Sequence, residues 1–214
     1  MAKTTIYLVR HGQSIGNLNN VMLGHTDLDL SEIGYKQAKL TAEALREVEF
    51  DAIYSSDLIR ASNTALYHAE MRNLKVVTDG ELRELNLGAW ENQDKKVLEI
   101  EYSDTFPMGW LENFGTFTFP NGENVRAGGE RFYSKVEKLA RAHEGRTILI
   151  ASHAAVIRAF WAIINGLLCE RWATDTFFPT NASYAVVEYE GGKFTPISYS
   201  NDKHLGDLIT FIKT

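Results

Sequence analysis

The chain has 214 residues, a formal net charge of −6 and a hydrophobic fraction of 44%, values typical of one globular domain. Proteins that bind nucleic acids through general charge attraction are usually basic, so the acidic balance argues against a nucleic-acid partner. The single cysteine, Cys169, leaves no internal disulfide and no cysteine-based metal site, and no apolar run is long enough to span a bilayer. We therefore expect one cytoplasmic domain over residues 1–214, with no membrane partner.

Strand and helix patterns alternate through the first half of the chain. A short apolar, β-prone run at residues 6–9 predicts a buried strand, and the helical spacing of apolar residues predicts a helix over residues 31–48. Residues 51–54 predict a second strand, a helix follows near residues 58–69, and residues 74–77 predict a third strand.

The second half continues this alternation and ends in a hairpin. A helix is expected at residues 129–142, the most clearly buried strand at residues 147–151 and a helix near residues 155–166. Two β-prone runs, 184–188 and 193–198, are separated by a pair of glycines and predict a hairpin. The alternation favours a mixed sheet covered by helices on both faces.

Residues 95–124 interrupt the pattern. They carry several Phe and Trp side chains with weak periodicity, and a long irregular segment of this kind is often a lid or a binding loop. We expect a lid or substrate-specificity insertion, in which residues 106–119 form an apolar rim that prefers hydrophobic leaving groups. The alternative is that these aromatic side chains fill a satellite core.

Five chemically active side chains lie at or near predicted strand ends. Two strands end in a histidine, at His11 and His153, and two arginines, Arg10 and Arg60, lie beside or just after strand ends. Glu84 follows the third strand. Ligands of open α/β sheets bind beyond the carboxyl ends of the strands, so these groups meet if the ends share one edge.

Together the five groups suit phosphoryl transfer without a metal ion. Arginines match phosphate oxygens two at a time, and a neutral imidazole kept uncharged by nearby cations can attack phosphorus. A second, protonated histidine can stabilise the equatorial oxygens, and a carboxylic acid can protonate the leaving oxygen. Each residue alone has an ordinary alternative: either histidine could be structural, Arg60 could be a surface residue, and Glu81 or Glu91 could replace Glu84.

Five blocks of sequence occur in a distinctive order along nearly the whole chain. They are Leu8-Val9-Arg10-His11-Gly12-Gln13-Ser14 with Asn17; Gly24, Asp27 and Leu30-Ser31-Glu32-Ile33-Gly34 with Gln37-Ala38; Tyr54-Ser55-Ser56-Asp57-Leu58-Ile59-Arg60-Ala61 with Thr64-Ala65; Leu82-Arg83-Glu84-Leu85 with Gly88 and Trp90-Glu91; and Ile150-Ala151-Ser152-His153 with Val156-Ile157-Arg158. The set resembles the signature of the histidine phosphatase superfamily, the phosphoglycerate mutase-like family.

The resemblance implies a three-layer α/β/α sandwich on a mostly parallel central sheet. It implies that His11 is the nucleophile, that Arg10, Arg60 and His153 bind the phosphate, and that Glu84 donates and accepts the proton. It also implies substrate contacts from the phosphate loop, a neighbouring backbone and a helix start: Ser14, Asn17, Gly24 and Ala154. The family chemistry needs no cofactor and no metal ion.

The acceptor of the phosphoryl group separates two hypotheses. The segment from Asn86 to Glu91 resembles the phosphatase branch, whereas the mutases carry a longer insert with adjacent arginines that bind a carboxylate. Here that stretch offers only Lys95, Lys96 and, later, Arg126. We therefore favour a phosphomonoesterase that hydrolyses a small-molecule phosphate ester, with a phosphoglycerate mutase as the alternative.

A third hypothesis is a phosphate-recognition protein without turnover. It ranks lower because the nucleophile, the acid and both arginines are all present. Sugar phosphates, a ribazole phosphate, phosphoglycerates and phosphoproteins are all open as substrates, and either a monomer or a homodimer is compatible with the sequence.

Overall fold

The computed structural model describes residues 2–211 and contains one large sheet and one small one. The strands are β1 (Thr4–Arg10), β2 (Val21–Met22), β3 (Ala52–Ser55), β4 (Val76–Thr78), β5 (Gln93–Asp94), β6 (Thr147–Ser152), β7 (Tyr184–Glu190) and β8 (Lys193–Asn201). The α-helices are α1 (Ile15–Leu18), α2 (Glu32–Ala44), α3 (Ile59–Glu70), α4 (Lys95–Glu101), α5 (Met108–Glu112), α6 (Val125–Ala142), α7 (Ala154–Ile164) and α8 (Trp172–Asp175).

The large sheet has the strand order β4-β3-β6-β1-β7-β8. Its first four strands are mutually parallel, while β7 runs antiparallel to both β1 and β8. In the register of the two central strands, Arg10 at the end of β1 pairs with Ser152 at the end of β6. The carboxyl ends of β1 and β6 therefore meet at one edge, which places the residues that follow them side by side.

Helices cover both faces of this sheet, and each face has its own core. On one face, Ile148 and Ile150 of β6 share a cluster with Phe132 of α6 and Phe160 of α7. On the other face, Leu149 of β6 shares a cluster with side chains from β3 and α3. Because successive strand residues point to opposite faces, this alternation produces the three layers. The predicted α/β fold is confirmed.

Two predicted helices have shifted boundaries. The helix predicted from residue 129 begins at Val125 because Asn124 caps it, with its side chain accepting N–H groups of Arg126 and Ala127. The helix predicted to reach residue 48 ends at Ala44. A side-chain cap, which apolar spacing does not reveal, sets the start of α6.

Residues 95–124 are more regular than expected, since they contain α4, α5 and the start of the turn before α6. Their large aromatic side chains Phe106, Trp110, Phe114 and Phe119 are buried and belong to the main core cluster. They do not form a separate satellite core. Within residues 2–211, no helix is both long and apolar enough to cross a membrane.

His68 on α3 is completely buried, and neither ring nitrogen has a hydrogen-bond partner within residues 2–211. Burial, followed by the charges of Arg72 and His204, lowers the pKa of His68 to about 3. An unfolded chain would protonate this histidine near its usual pKa of about 6.5. The unfolded state therefore binds more protons between these two pKa values, and the protein loses stability as pH falls through that window.

We predict that His68→Leu reduces the loss of stability at acidic pH. The free energy of unfolding, measured by urea denaturation at pH 7 and pH 5, should fall about 2 kcal/mol less in the variant than in the wild type. Comparison of the two proteins cancels the contribution of the other histidines. An identical fall in both would mean that His68 does not resist protonation in the folded state.

Candidate active site

The edge at which β1 and β6 end carries two histidines in contact. His11 follows β1 and His153 follows β6, and their ring centroids lie 5.2 Å apart at an interplanar angle of 59°. His11 is 4% exposed and His153 is fully buried. The two histidines are 142 positions apart in the sequence, and the parallel pairing of β1 with β6 brings them together. The sequence predicted this convergence of strand ends.

The electrostatics of the pocket favour neutral imidazoles. Burial, followed by the positive charges of Arg60 and Arg10, holds the pKa of His11 well below its usual range. Burial, then Arg60 and His11, lowers the pKa of His153 in the same direction. Without a nearby negative charge, both rings are therefore uncharged at neutral pH. The expected protonation of the second histidine concerns the phosphoryl-bound site and stays a prediction.

The hydrogen bonding of His11 also defines its tautomer. Its Nδ1 lies 2.7 Å from the carbonyl oxygen of Gly12. A carbonyl oxygen only accepts, so Nδ1 carries the hydrogen and a neutral ring keeps its lone pair on Nε2. The free nitrogen is thus the one that can act as a nucleophile.

Two buried arginines flank the histidines. Arg10 donates to the carbonyl oxygen of Pro179 at 2.6 Å, and Arg60 donates to those of Thr26 and Gly24 at 2.8 and 2.7 Å. Both residues are 1% exposed. Burial lowers the pKa of each to about 10, so both stay charged at neutral pH.

Several buried polar atoms at this edge lack partners. Among the residues that the structure describes, the Nε atoms of Arg10 and Arg60 and both ring nitrogens of His153 make no hydrogen bond. Unsatisfied buried polar groups are costly and rare, and groups of this kind beside two positive charges suit an anion with several acceptor oxygens. The set of groups is therefore suited to an anion such as phosphate.

Glu84 reaches the same site from the loop after β4. Its carboxylate accepts the N–H groups of Ala155 and Val156 at 3.0 and 3.1 Å, in the first turn of α7, and that of Leu85 at 3.0 Å. The positive end of the helix dipole favours this placement. The carboxylate thus occupies the N–H groups of Ala155 and Val156. They lie at the same end of α7 as Ala154, whose N–H we expect to donate to the substrate.

The two competing glutamates lie elsewhere. Glu81 has a half-exposed side chain near Lys138 on the outer surface. Glu91 is turned inward, where one oxygen accepts the N–H groups of His25 and Leu87. The structure therefore brings only Glu84, of these three, to the cavity wall.

The loop after His11 is tightly packed. Ser14 caps α1 in a capping box with Asn17, whose side-chain oxygen also accepts from Asn181. A Cβ atom added at Gly12 would lie 2.4 Å from the carbonyl oxygen of Gly34, so only glycine allows this approach. Asn17 lines the cavity, whereas Ser14 is buried behind it.

A cavity of about 90 Å³ is lined by most of these groups, although neither His153 nor Ser14 is among its lining residues. The polar part of the lining comprises Arg10, His11, Asn17, Arg60, Glu84 and Lys95, together with Gly24. The apolar part comprises Val21, Met22, Leu23, Leu87, Trp110, Phe119, Ala154, Ala155 and Phe178. The cavity thus combines groups suited to an anion with groups suited to an apolar ligand.

Sequence reasoning missed the residues that support the site from a distance. Arg131 on α6 forms an ion pair with Glu123 and donates to the backbone carbonyls of Glu81, Arg83 and Glu84. His25 donates to the Glu84 carbonyl at 2.9 Å. These contacts involve backbone oxygens, which every residue has, so no sequence motif signals them.

Comparison with known proteins agrees with the geometry. The sequence model of the histidine phosphatase superfamily (branch 1) matches residues 6–202. Phosphoserine phosphatase 1 of Hydrogenobacter thermophilus is 32% identical over 204 residues, which cover 95% of this chain and 95% of that protein. A protein of Yersinia pestis named Probable phosphoglycerate mutase GpmB is 32% identical over 162 residues, covering 76% of this chain and 75% of its own.

Among solved structures, a mycobacterial glucosyl-3-phosphoglycerate phosphatase in complex with VO3 matches with a TM-score of 0.85. The two are 27% identical, and the match covers 92% of this chain and 98% of that one.

We predict that inorganic phosphate binds at the orphaned donors and stabilises the fold. At a hundredfold excess over its Kd, the gain is about 2.7 kcal/mol, read as a rise in Tm. Arg60→Met should remove most of this rise because it removes one of the two buried positive charges. Arg146→Met is the matched control, since Arg146 is exposed and pairs with Asp51 far from the site. Equal phosphate effects in the wild type and Arg60→Met would place the phosphate elsewhere.

Proposed function

The chain belongs to the histidine phosphatase superfamily and is a phosphatase, and from this premise we propose that it hydrolyses a small-molecule phosphate monoester through a phosphohistidine at His11. The observation that carries the proposal is the state of His11. Its Nδ1 is committed to the Gly12 carbonyl, and its ring is neutral beside two buried arginines. A neutral imidazole with a free Nε2 next to an anion site is a nucleophile for phosphorus.

In the first step, Nε2 of His11 attacks the phosphorus of the bound ester. The P–N bond forms as the P–O bond to the leaving group breaks, and Glu84, as the carboxylic acid, protonates the leaving oxygen. Arg10 and Arg60 bind the non-bridging oxygens. They compensate the charge that develops there, which is the largest electrostatic contribution expected in such a step.

In the second step, water attacks the phosphohistidine. The Glu84 carboxylate takes a proton from the water, the new P–O bond forms, and the P–N bond breaks to return neutral His11 and free phosphate. The bound phosphoryl group also supplies negative charge beside His153, which favours the protonated ring there. His153 then donates to a phosphoryl oxygen.

The shape of the cavity supports hydrolysis of an ester with an apolar leaving group. The leaving group would lie against the apolar part of the lining, which includes Trp110, Phe119 and Phe178. Of the described residues that line the cavity, Lys95 is the only cation apart from Arg10 and Arg60. A mutase must also bind the carboxylate of a sugar acid, and one lysine supplies little positive charge for that contact.

Phosphoserine and glucosyl-3-phosphoglycerate, the substrates named for two relatives, are the natural compounds with which to begin. A phosphoglycerate mutase is the second candidate because of the Yersinia relative. The two activities share the phosphohistidine and differ in whether water or a bound acceptor receives the phosphoryl group.

We predict release of inorganic phosphate without transfer to an acceptor. The assay offers phenyl phosphate, glycerol phosphate, phosphoserine and 3-phosphoglycerate in the presence of EDTA, and follows free phosphate and phosphoglycerate isomers. Phenyl phosphate should be preferred over glycerol phosphate because of the apolar wall. His11→Gln should form no acid-labile phosphoenzyme, whereas the remote His143→Gln should form it normally. Isomerisation that outpaces hydrolysis would establish the mutase instead, and activity lost in EDTA would contradict the metal-free mechanism.

We predict that the effect of Glu84→Gln depends on the leaving group. Nitrophenolate leaves without a proton, so the pre-steady-state burst from p-nitrophenyl phosphate should keep most of its rate. The rate at which an alkyl phosphate phosphorylates the enzyme should fall by about a hundredfold or more, because an alkoxide leaving group needs a proton from the Glu84 carboxylic acid. Glu81→Gln is the matched control on the outer surface. Equal losses on both substrates would argue that Glu84 acts in some way other than as a proton donor.

A further inference from the structure

The orientation of the His11 ring depends on a single peptide unit. Nδ1 of His11 donates to the carbonyl oxygen of Gly12, and that carbonyl shares a rigid plane with the N–H of Gln13. The Gln13 N–H donates to Oε1 of Gln37 on α2 at 2.7 Å. Gln37 therefore holds the peptide whose other end holds the imidazole.

Gln37 is in turn held by the C-terminal segment, defined as residues 203–211. Gln37 is fully buried, and its Nε2 donates to the Leu208 carbonyl at 2.6 Å and to the Thr210 hydroxyl at 2.9 Å. Oε1 and Nε2 belong to one planar amide. The contacts with Leu208 and Thr210 thus fix the direction in which Oε1 meets Gln13.

Thr210 reaches His11 by a second route, through Asn181. The Thr210 hydroxyl donates to Oδ1 of Asn181, and the Thr210 carbonyl accepts the Asn181 N–H, both at 3.1 Å. Nδ2 of Asn181 donates to the His11 carbonyl at 3.3 Å, beside the N–H of Ala182 at 3.1 Å. Ala182 has a φ of +56°, a conformation that costs energy for alanine and needs support from its surroundings.

One hydroxyl group joins the two routes. The Thr210 hydroxyl accepts a hydrogen bond from Gln37 and donates one to Asn181, so it acts as acceptor and donor at the same time. The segment is anchored upstream by Leu205, which is 2% exposed, and by the contact of His204 Nε2 with Thr41 Oγ1 at 2.9 Å. It lies beyond residue 202, where the match to the family model ends.

We propose that Thr210, acting through Gln37 and Asn181, is a positioning residue for the nucleophile. The C-terminal segment closes a hydrogen-bonded ring around the loop that follows β1, and this ring fixes the Gly12–Gln13 peptide and with it the tautomer and direction of the His11 imidazole. Thr210 is not among the described residues that line the cavity. The inference rests on the proposed role of His11 as the nucleophile.

The test compares substitutions of Thr210 that differ only in the hydroxyl group. Thr210→Val keeps the shape and removes the hydroxyl, while Thr210→Ser keeps the hydroxyl. With glycerol phosphate, whose poor leaving group makes attack by His11 the slow step, we expect kcat of Thr210→Val to fall about tenfold, because misplacing a reacting group slows its step steeply. KM should change less than about twofold, since Arg10 and Arg60 are untouched. Thr210→Ser and the exposed control Asp207→Ala should behave as wild type.

A spectroscopic measurement separates positioning from loss of folded protein. The ¹⁵N shifts of labelled histidine report the tautomer, and the His11 signal is identified by its absence in His11→Gln. We expect a single Nδ1–H form in the wild type and a mixture in Thr210→Val. Gln37→Met, which breaks the same ring from α2, should reproduce both effects, and the double variant should lose little more than either single one.

Several results would overturn the inference. One is an unchanged kcat in Thr210→Val and Gln37→Met. Another is an equal fall of kcat in Thr210→Val and Thr210→Ser, and a third is a change of KM without any change of kcat. Failure of the proposed function looks different, because then wild-type protein itself would form no phosphohistidine at His11.

Discussion

Four basic side chains are buried together at the carboxyl edge of the sheet, and the rest of the site is arranged around the cost of burying them. Arg10 and Arg60 keep their charges because their pKa values stay near 10. His11 and His153 respond by remaining neutral. Burial, reinforced by the positive charges of the two arginines, thus keeps the nucleophile uncharged, and the same buried cluster offers polar groups to an anion.

This arrangement works only if the nearby carboxylate does not cancel the charge. Among the ion pairs of residues 2–211, none joins Glu84 to Arg10 or Arg60. Backbone N–H groups at the start of α7 hold the Glu84 carboxylate instead, and Arg131 holds the loop behind it. The two arginines are therefore available to a ligand, while the carboxyl group stays within the same cavity.

The sequence predicted the parts of the fold and site that depend on local patterns. Buried strands that end in Arg10-His11 and in His153 follow from apolar runs, and their convergence follows from parallel pairing, which the register of Arg10 with Ser152 confirms. The supporting contacts made by Arg131 and Asn181 could not be predicted. They are hydrogen bonds to backbone carbonyls far away in sequence, which leave no trace in residue type or spacing.

The polar and apolar parts of the cavity lining differ in what holds them in place. Hydrogen bonds hold the polar groups, whereas Phe119 and Trp110 also belong to the main core, where Phe119 packs edge-on against Trp90 at a ring-centroid distance of 5.3 Å. A smaller side chain at Phe119 would enlarge the pocket and also leave a cavity in the core, which typically costs several kcal/mol. A substitution of Phe119 or Trp110 that changes the preferred leaving group is therefore expected to lower the stability of the fold as well. Met22 and Val21, which line the same cavity but are only half-buried, are the positions at which specificity can vary with the smallest structural cost.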